Sequence, residues 1–361
     1  MNIHNAIRLF LIIGLVSSVT SCKKIYNPDI NSEFNALVVD ALITNSTGPY
    51  YVKLSQSVPY DSTLARLPVS GASISVMDDD KNNYPFYETG NGVYYSDISF
   101  KGVSGKSYTL HIQTQEGDIY ESSAQQLPKE PSLDSIHGFS TQKELLIETQ
   151  GNGSAIQYIN GINVLLDLNK KGIGMMPLSR FKSTLFLEYI YVETPPPPSS
   201  IPRTFYFWNT FSLDDMENIS GAKYSSNSTS ILNHSLCFMA TSKSHYGIGD
   251  TCSIYHYILT FNQYNLNNET YNYYKGLNEQ LLSDGKLFDP IASQLNGNIK
   301  CINNSRKIAL GLFEASSVQT VTFIVQPSKE ASITLFTKIT NLIPNPESGE
   351  TISVPPYFWV N

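Results

Sequence analysis

The feature that most constrains the fold is an alternation of apolar and polar residues between positions 34 and 128. Apolar side chains recur at every second position in three clear runs, which are Leu37-Val39-Ala41-Ile43, Ala72-Ile74-Val76 and Tyr108-Leu110-Ile112. A β-strand places successive side chains on opposite faces, so half-buried antiparallel strands require this period of two. Turn-forming residues separate the runs, as at Gly48-Pro49 and Gly90-Asn91-Gly92. The pattern predicts a β-sandwich of about seven strands.

Strand-like segments also run through the second half of the chain. They are rich in β-branched and aromatic residues, which favour strands, and they read GINVLLDL, STLFLEYIYVE, SIYHYILTF and TVTFIV. Two apolar faces follow from the alternation in the last two segments, namely Tyr255-Tyr257-Leu259-Phe261 and Val321-Phe323-Val325. The second half is therefore predicted to be an antiparallel β-rich domain.

One helix is predicted within this half. Asn267 or Asn268 can cap its amino terminus, and Glu269 in the first turn favours the positive end of the helix dipole. A stripe with helical spacing, expected to pack on a sheet, consists of Tyr271, Tyr274, Leu277 and Leu281. The pair Asp284-Gly285 supplies a stop signal.

Proline-rich stretches divide the chain. The stretch LPKEPSLDSI contains two prolines and predicts a linker at 129–136, between a β-sandwich domain at 34–128 and a larger domain at 137–361. A second stretch, TPPPPSSIP at 194–202, predicts a stiff extended loop. The composition agrees with a folded, mainly β chain, since 12% of residues are aromatic and only 15% are charged.

The amino terminus predicts export and lipid attachment. Arg8 precedes an apolar run, FLIIGLV, that is too short to span a bilayer core of ~30 Å, and residues 1–21 have the build of a signal peptide. Small residues then lead directly into Cys22, in a pattern that resembles a bacterial lipobox. A thiolate is nucleophilic enough to accept a diacylglyceryl group, so Cys22 is the predicted lipidation site. The alternative is a secreted protein in which Cys22 is incidental.

The residues after Cys22 bear on the destination of the protein. Residues 22–33 are polar and predict a short tether between the lipid and the first domain. By resemblance to other bacterial lipoproteins, an aspartate after the cysteine would mark retention in the inner membrane, and Lys23 stands there instead. We therefore expect an outer-membrane lipoprotein that faces either the periplasm or the medium.

Charge and motifs argue against several classes of function. The net charge is −7 and no basic stripe is present, which argues against nucleic acid as a partner. The sequence has no Gly-x-Ser-x-Gly elbow and no phosphate-binding glycine loop. The histidines after the signal show no metal-site spacing, and they are His111, His137, His234, His245 and His256. We predict no catalytic residue, no cofactor and no metal.

The nearest sequence to a metal motif is DDDKNN at residues 78–83. Asp78, Asp80 and Asn82 would be positions 1, 3 and 5 of a calcium loop. Asn83, however, occupies the sixth position, where that loop needs glycine. A polar hairpin turn is the favoured interpretation.

Two longer stretches resemble known families. LPVSGASISVMDDDKNNYPFYETGNGVYYSD is similar to the small β-sandwiches of the carboxypeptidase regulatory-like and transthyretin-like kind. KLFDPIASQLNGNIKCINNSRKIALGLFEASSV, together with NALVVDALITNSTGPYYVKLSQSVP, SLCF and PPYFWVN, resembles the Bacteroidota lipoprotein family catalogued as domain of unknown function 4249. This resemblance extends from about Ala36 to Trp359. The predicted architecture is an immunoglobulin-like or transthyretin-like sandwich, then a larger antiparallel β-rich domain with one helix.

The resemblance also carries an expectation about function. It implies a cell-envelope lipoprotein of a kind often encoded beside TonB-dependent outer-membrane transporters, and it assigns no catalytic residue. We expect a non-catalytic, lipid-anchored protein that is an accessory or ligand-capturing partner of such a transporter. Two alternatives stay open: an envelope hydrolase with a site in the C-terminal domain, and a structural or adhesive surface protein.

Three cysteines follow Cys22, and an envelope compartment permits disulfides. Sequence spacing does not choose among the three possible pairs of Cys237, Cys252 and Cys301. Cys237 and Cys301 lie in the two cysteine-bearing motifs of the resembled family, so the resemblance implies a bridge between them. The alternative is three buried thiols.

Overall fold

The structure is a computed structural model, and it describes residues 36–58, 66–130, 135–149, 153–169, 178–198, 201–213, 218–220, 230–282, 295, 297–326, 335–339 and 350–351. Within these ranges the chain is mainly β with one α-helix, as the sequence predicts. None of the helices in them is long and apolar enough to cross a membrane. The predicted signal peptide, Cys22, the tether and Asp284-Gly285 lie outside the described residues.

The secondary structure consists of strands joined by short connections, with one α-helix and one 3-10 helix. The strands are, in chain order, β1 (Ala36–Thr44), β2 (Tyr51–Gln56), β3 (Leu67–Pro68), β4 (Ser73–Asp78), β5 (Asn83–Gly90), β6 (Val93–Ser96), β7 (Ser107–Gln113), β8 (Ile119–Ser122), β9 (Gln125–Gln126), β10 (Ser135–Thr149), β11 (Gly153–Asn169), β12 (Ser179–Glu193), β13 (Arg203–Ser212), β14 (Asn218–Ser220), β15 (Ser230–Ala240), β16 (Cys252–Asn265), β17 (Ile299–Cys301), β18 (Ile308–Gln326), β19 (Leu335–Ile339) and β20 (Glu350–Thr351). The α-helix, α1, spans Asn268–Leu281, and the 3-10 helix spans Lys243–Tyr246.

The first sheet is built from the amino-terminal strands. Its antiparallel neighbours follow the order β1, β2, β6, β5, β4, β7 and β8, while β3 pairs with β2 and β9 pairs with β7. The predicted apolar faces of β1, β4 and β7 point into one core, in which Val39, Val76 and Leu110 are buried. The period-two prediction for these strands is confirmed.

Two strands from late in the chain complete this sheet. β17 pairs antiparallel with β8, and the first half of β18 pairs parallel with β1, from Ala36 opposite Ile308 to Thr44 opposite Ser316. Ile299 and Phe313 are buried in the same core. β17 and the first half of β18, which the sequence analysis assigns to the C-terminal domain, thus pair with strands of the first sheet.

The edges of the first sheet approach each other at Asn298, which precedes β17. The Asn298 side-chain amide donates a hydrogen bond to the Phe313 carbonyl at 2.7 Å, and the Phe313 N–H donates to Asn298 Oδ1 at 2.9 Å. This reciprocal pair reproduces the exchange of hydrogen bonds between two strands. Asn298 thereby links the segment before β17 to β18.

The second half of β18 belongs to a second sheet, where Ser317–Val325 pair with β16. Its antiparallel order is β13, β12, β16, β18 and β19, with β14 beside the start of β12 and β20 parallel to β13. A separate three-stranded antiparallel sheet contains β10, β11 and β15. The two sheets enclose a second core that includes Leu166, Leu185 and Leu259. The predicted face Val321-Phe323-Val325 also lies in this core.

One residue of the apolar face predicted for β16 points to solvent in the structure. Tyr257, Leu259 and Phe261 contribute to the second core as predicted, but Tyr255 is 55% exposed. The β12–β16 register shifts beside Glu188, so one extra residue is accommodated in β16 and the alternation changes. The prediction for Tyr255 was wrong because a bulge depends on the neighbouring strand.

The helix begins where the sequence predicts. Asn267 is the N-cap, and its side-chain oxygen accepts a hydrogen bond from the Thr270 N–H at 2.9 Å. Tyr271 is buried as the predicted stripe requires. Leu281, the last residue of the helix, is 59% exposed. The predicted stripe is therefore buried at the amino-terminal end of α1 and exposed at the carboxyl-terminal end.

Candidate functional site

The aspartate-rich turn after β4 is held by a lysine. The carboxylates of Asp78, Asp79 and Asp80 lie within 4.8 Å of one another. Lys106 Nζ lies 3.0 Å from Asp78 Oδ2 and 2.6 Å from Asp80 Oδ2. The Asn82 backbone N–H also donates to Asp78 Oδ1 at 2.8 Å. The Lys106 ammonium group thus contacts two of the three carboxylates.

These contacts lower the pKa of Asp78. Burial by itself raises the pKa of this carboxyl group, but hydrogen bonds from Asn82 and Lys106 outweigh burial and hold the pKa at about 2. The carboxylates of Asp80 and Asp78 raise the pKa of Lys106, and the hydrogen bond with Asp80 makes the largest contribution. The three groups therefore form a stable charged turn on the first sheet.

Cys237, Cys252 and Cys301 lie in different surroundings. No disulfide joins the cysteines of the described residues. Cys237 is buried in the second core, whereas Cys301 packs against the first core and lies 3.3 Å from Asn303 Oδ1. Cys237 and Cys301 thus pack in different cores, and the bridge that the family resemblance implies stays a prediction. Cys252 is partly buried against the second core.

A buried ion pair lies where β18 passes from the first sheet to the second. Arg180 Nη2 donates to both carboxylate oxygens of Glu314 at 3.0 Å, and the guanidinium lies 4.4 Å and 4.6 Å from the ring centroids of Tyr264 and Tyr274. The Tyr274 hydroxyl and the Ser316 hydroxyl also donate to Glu314. A buried carboxylate requires such partners. The hydrogen bond from Tyr274 to Glu314 also connects α1 to β18.

A carboxylate and an imidazole meet on the outer face of the second sheet. Glu188 of β12 lies opposite His256 of β16, and His256 Nδ1 is 2.6 Å from Glu188 Oε2. Glu188 is buried, while about a third of the His256 side chain is exposed. Trp208 of β13 lies on the other side of Glu188. A buried carboxylate that holds one ring nitrogen orients the imidazole, as in sites for proton transfer.

The described histidines other than His256 contact side chains in separate places. His111 lies near Glu121, His137 near Asp167 and Asn233, His234 near Asn218, and His245 against the Tyr246 ring. Sequence reasoning missed the Glu188–His256 pair because its two members are 68 residues apart. The only sequence signal was a lone glutamate in the apolar segment LFLEYIYV.

The tyrosine row, which is defined as Tyr51, Tyr95 and Tyr87, crosses the outer face of the first sheet. Tyr95 of β6 lies opposite Tyr51 of β2 on one side and opposite Tyr87 of β5 on the other. The three residues are 50%, 37% and 53% exposed in the order Tyr51, Tyr95 and Tyr87. The ring centroids of Tyr87 and Tyr95 are 6.0 Å apart, with the ring planes tilted by 52°. Three large aromatic side chains are thus aligned in solvent on neighbouring strands.

Exposed aromatic side chains in a continuous row are a recognised sign of a binding surface. Each ring offers a flat apolar area with few rotatable bonds to immobilise, and its hydroxyl group adds a hydrogen-bonding edge. The row has no signal in the sequence, because Tyr51 and Tyr95 are neighbours only through strand pairing. More than a third of each tyrosine is exposed, so the row is accessible to a large ligand.

Comparison with known proteins agrees with the sequence resemblance. The family model described as domain of unknown function DUF4249 matches residues 23–322. The match begins directly after Cys22 and ends within β18, so it includes the first sheet, α1 and β16. No curated protein matches the chain. The family model covers most of the sequence, and the chain belongs to the DUF4249 family.

Proposed function

We propose that the protein is a non-catalytic binding protein that is anchored in the bacterial outer membrane through lipid on Cys22. In this proposal it captures a ligand and serves as the accessory partner of a TonB-dependent transporter. The observation that carries the proposal is the tyrosine row, because it is a preformed binding surface on a rigid sheet. The amino-terminal sequence, FLIIGLVSSVTSC, supports the anchor.

A lipid anchor and an exposed binding face work together physically. Anchoring confines the protein to a surface and raises its effective concentration near a membrane partner without any new contact. The 13 residues between Cys22 and Ala36 can reach about 47 Å at most, which keeps the first sheet close to the membrane. A ligand on the tyrosine row would therefore be held within reach of a neighbouring transporter.

The position of the row on strands also favours binding. Tyr51, Tyr87 and Tyr95 lie on strands that share the first core, and their strand neighbours Val52, Phe86 and Tyr94 are buried. Rings on a packed sheet need little reorganisation when a ligand arrives, so less free energy is lost on ordering them. This geometry favours ligand binding over catalysis.

An envelope hydrolase is the second candidate, and the Glu188–His256 pair favours it. A partly exposed imidazole oriented by a buried carboxylate is the arrangement that a general base requires. His256 hydrogen-bonds to Glu188 and packs against the ring of Tyr255. The proposal of a binding protein is preferred because the tyrosine row needs no further group to bind a ligand.

The test compares cells that express the wild-type chain, the Cys22→Ser variant or the Cys252→Ser variant. Cys252→Ser is the matched control, because it removes a cysteine and leaves the lipobox unchanged. We expect labelled palmitate in the wild-type and Cys252→Ser proteins and none in Cys22→Ser, and we expect a transporter to copurify with the lipidated forms. A soluble, unlabelled wild-type protein would refute the anchor. Cleavage of an envelope polymer that is lost in both His256→Ala and Glu188→Gln would establish the hydrolase instead.

A further inference from the structure

We propose that the tyrosine row binds an uncharged glycan chain. This inference rests on the proposed function, in which the protein captures a ligand, and it names the chemical class of that ligand. Three properties of the outer face of the first sheet carry it, namely the rings themselves, their polar neighbours and the charge balance around them.

The rings match the chemistry of a sugar face. One face of a pyranose ring carries mainly C–H groups, and such a face stacks on the electron-rich face of an aromatic ring. Tyr51, Tyr95 and Tyr87 follow one another on adjacent strands, so the row extends over about 10 Å between the outer strands. A chain of linked sugar rings can contact such a row at successive positions, whereas a single small molecule contacts one ring.

The tilt between the rings also bears on the ligand. The planes of Tyr87 and Tyr95 differ by 52°, so the row is a twisted surface rather than a flat one. A sheet twists by about 20–25° from strand to strand, and the rings add to that twist. A twisted row fits a soluble, flexible glycan chain better than the flat surface of a crystalline polymer.

Polar side chains continue the surface beyond the rings. Ser73 of β4 lies on the strand next to β5 and pairs with Gln113 of β7. Both residues are exposed, and they offer a hydroxyl group and a carboxamide. Sugar hydroxyl groups need such hydrogen-bonding partners, whereas an apolar protein surface would leave them without one.

The charges around the row favour an uncharged ligand. Lys53 follows Tyr51 on the same face of β2, and its ammonium group lies 3.3 Å from Asp40 Oδ2 on β1. The neighbouring Asp40 carboxylate offsets the positive charge that Lys53 presents to a phosphate, sulfate or uronate group. The net charge of −7 also repels anionic polymers.

The test measures glycan binding by the intact lipidated chain in detergent. The probes are a soluble β-glucan, an α-glucan and a mannan, together with dextran and dextran sulfate as a neutral and anionic pair. Affinity electrophoresis identifies binding, and calorimetry gives the association constant. We expect at least one neutral glycan to bind and dextran sulfate not to bind.

The variants are Tyr51→Ala, Tyr87→Ala, Tyr95→Ala and the triple substitution. Each single change is expected to lower the association constant by roughly two- to tenfold, because one ring contact is lost, and the triple change to abolish binding. Tyr87→Phe keeps the ring and should retain most of the affinity. The matched control is Tyr158→Ala on β11, since Tyr158 is 58% exposed and lies outside the row. Thermal unfolding of each variant confirms that the fold is intact.

Three results would overturn the inference: no neutral glycan binds, the triple variant binds as well as wild type, or dextran sulfate binds best. Self-association of the wild-type chain that the triple variant loses would identify the row as a contact between copies and would also overturn it. The proposed function fails separately, when Cys22 carries no lipid. If lipid and transporter are found but no glycan binds, the proposed function stands and only the ligand class is wrong.

Discussion

At the scale of single residues, Asp78 shows how one carboxylate fixes a turn. Its pKa of about 2 lies below the ordinary value, so the ionised group stabilises the folded state at neutral pH. We expect Asp78→Asn to lower the free energy of unfolding by about 1–3 kcal/mol at neutral pH, because charged hydrogen bonds from Lys106 and Asn82 are lost. As the pH falls from about 4 toward 2, the wild type loses the same contribution and the difference should shrink. Denaturant unfolding at a series of pH values measures both effects.

The control for this prediction is Asp80→Asn. Asp80 contacts the same ammonium group of Lys106 at 2.6 Å, but 67% of its side chain is exposed. An exposed ion pair contributes little, so this variant should lose less than about 1 kcal/mol. Equal losses for Asp78→Asn and Asp80→Asn would show that burial of Asp78 is not what matters.

At the scale of elements, β18 is the strand on which both sheets depend. Gly311 has a φ of +92°, and a Cβ atom at this position would lie 1.9 Å from the Val39 carbonyl oxygen of β1. We expect Gly311→Ala to destabilise the protein by more than about 2 kcal/mol, since it combines backbone strain with a clash against the neighbouring strand. Thermal or denaturant unfolding gives the value.

Gly117 separates the two causes. Its φ is +87°, yet a Cβ atom would meet nothing within 4 Å. Gly117→Ala therefore carries the backbone strain alone and should cost about 1 kcal/mol. Equal losses of stability in the two alanine variants would show that the close approach of β1 and β18 contributes nothing.

At the scale of the whole molecule, the chain returns to its first core near its end. A fragment of residues 22–130 lacks β17 and β18, which leaves β1 and β8 as open edges and removes Ile299 and Phe313 from the core. We expect this fragment to show no cooperative unfolding transition and to aggregate, because unpaired edges and an incomplete core favour association. Calorimetry and light scattering test it against the intact mature chain. A fragment that unfolds as sharply as the intact chain would contradict the shared core.

Local patterns explain what sequence reasoning predicted correctly. The faces of β4 and β7 follow from the alternation of Ile74 with Val76 and of Leu110 with Ile112, because a strand sets side-chain direction by itself. The cap at Asn267 is equally local, since it lies three residues from the N–H that it binds. The family match rests on the same kind of information, namely residues 23–322 read in order.

What the sequence by itself determined is the strand-rich class of the protein, the inward faces of its early strands and the start of its helix. The tertiary structure alone decided that β18 serves two sheets, that Lys106 reaches Asp78 over 28 residues and that three tyrosines align in solvent. The physical reason is range: side-chain direction and capping depend on neighbours along the chain. Strand partners, register and the burial of charge depend on which distant segments meet in the folded core.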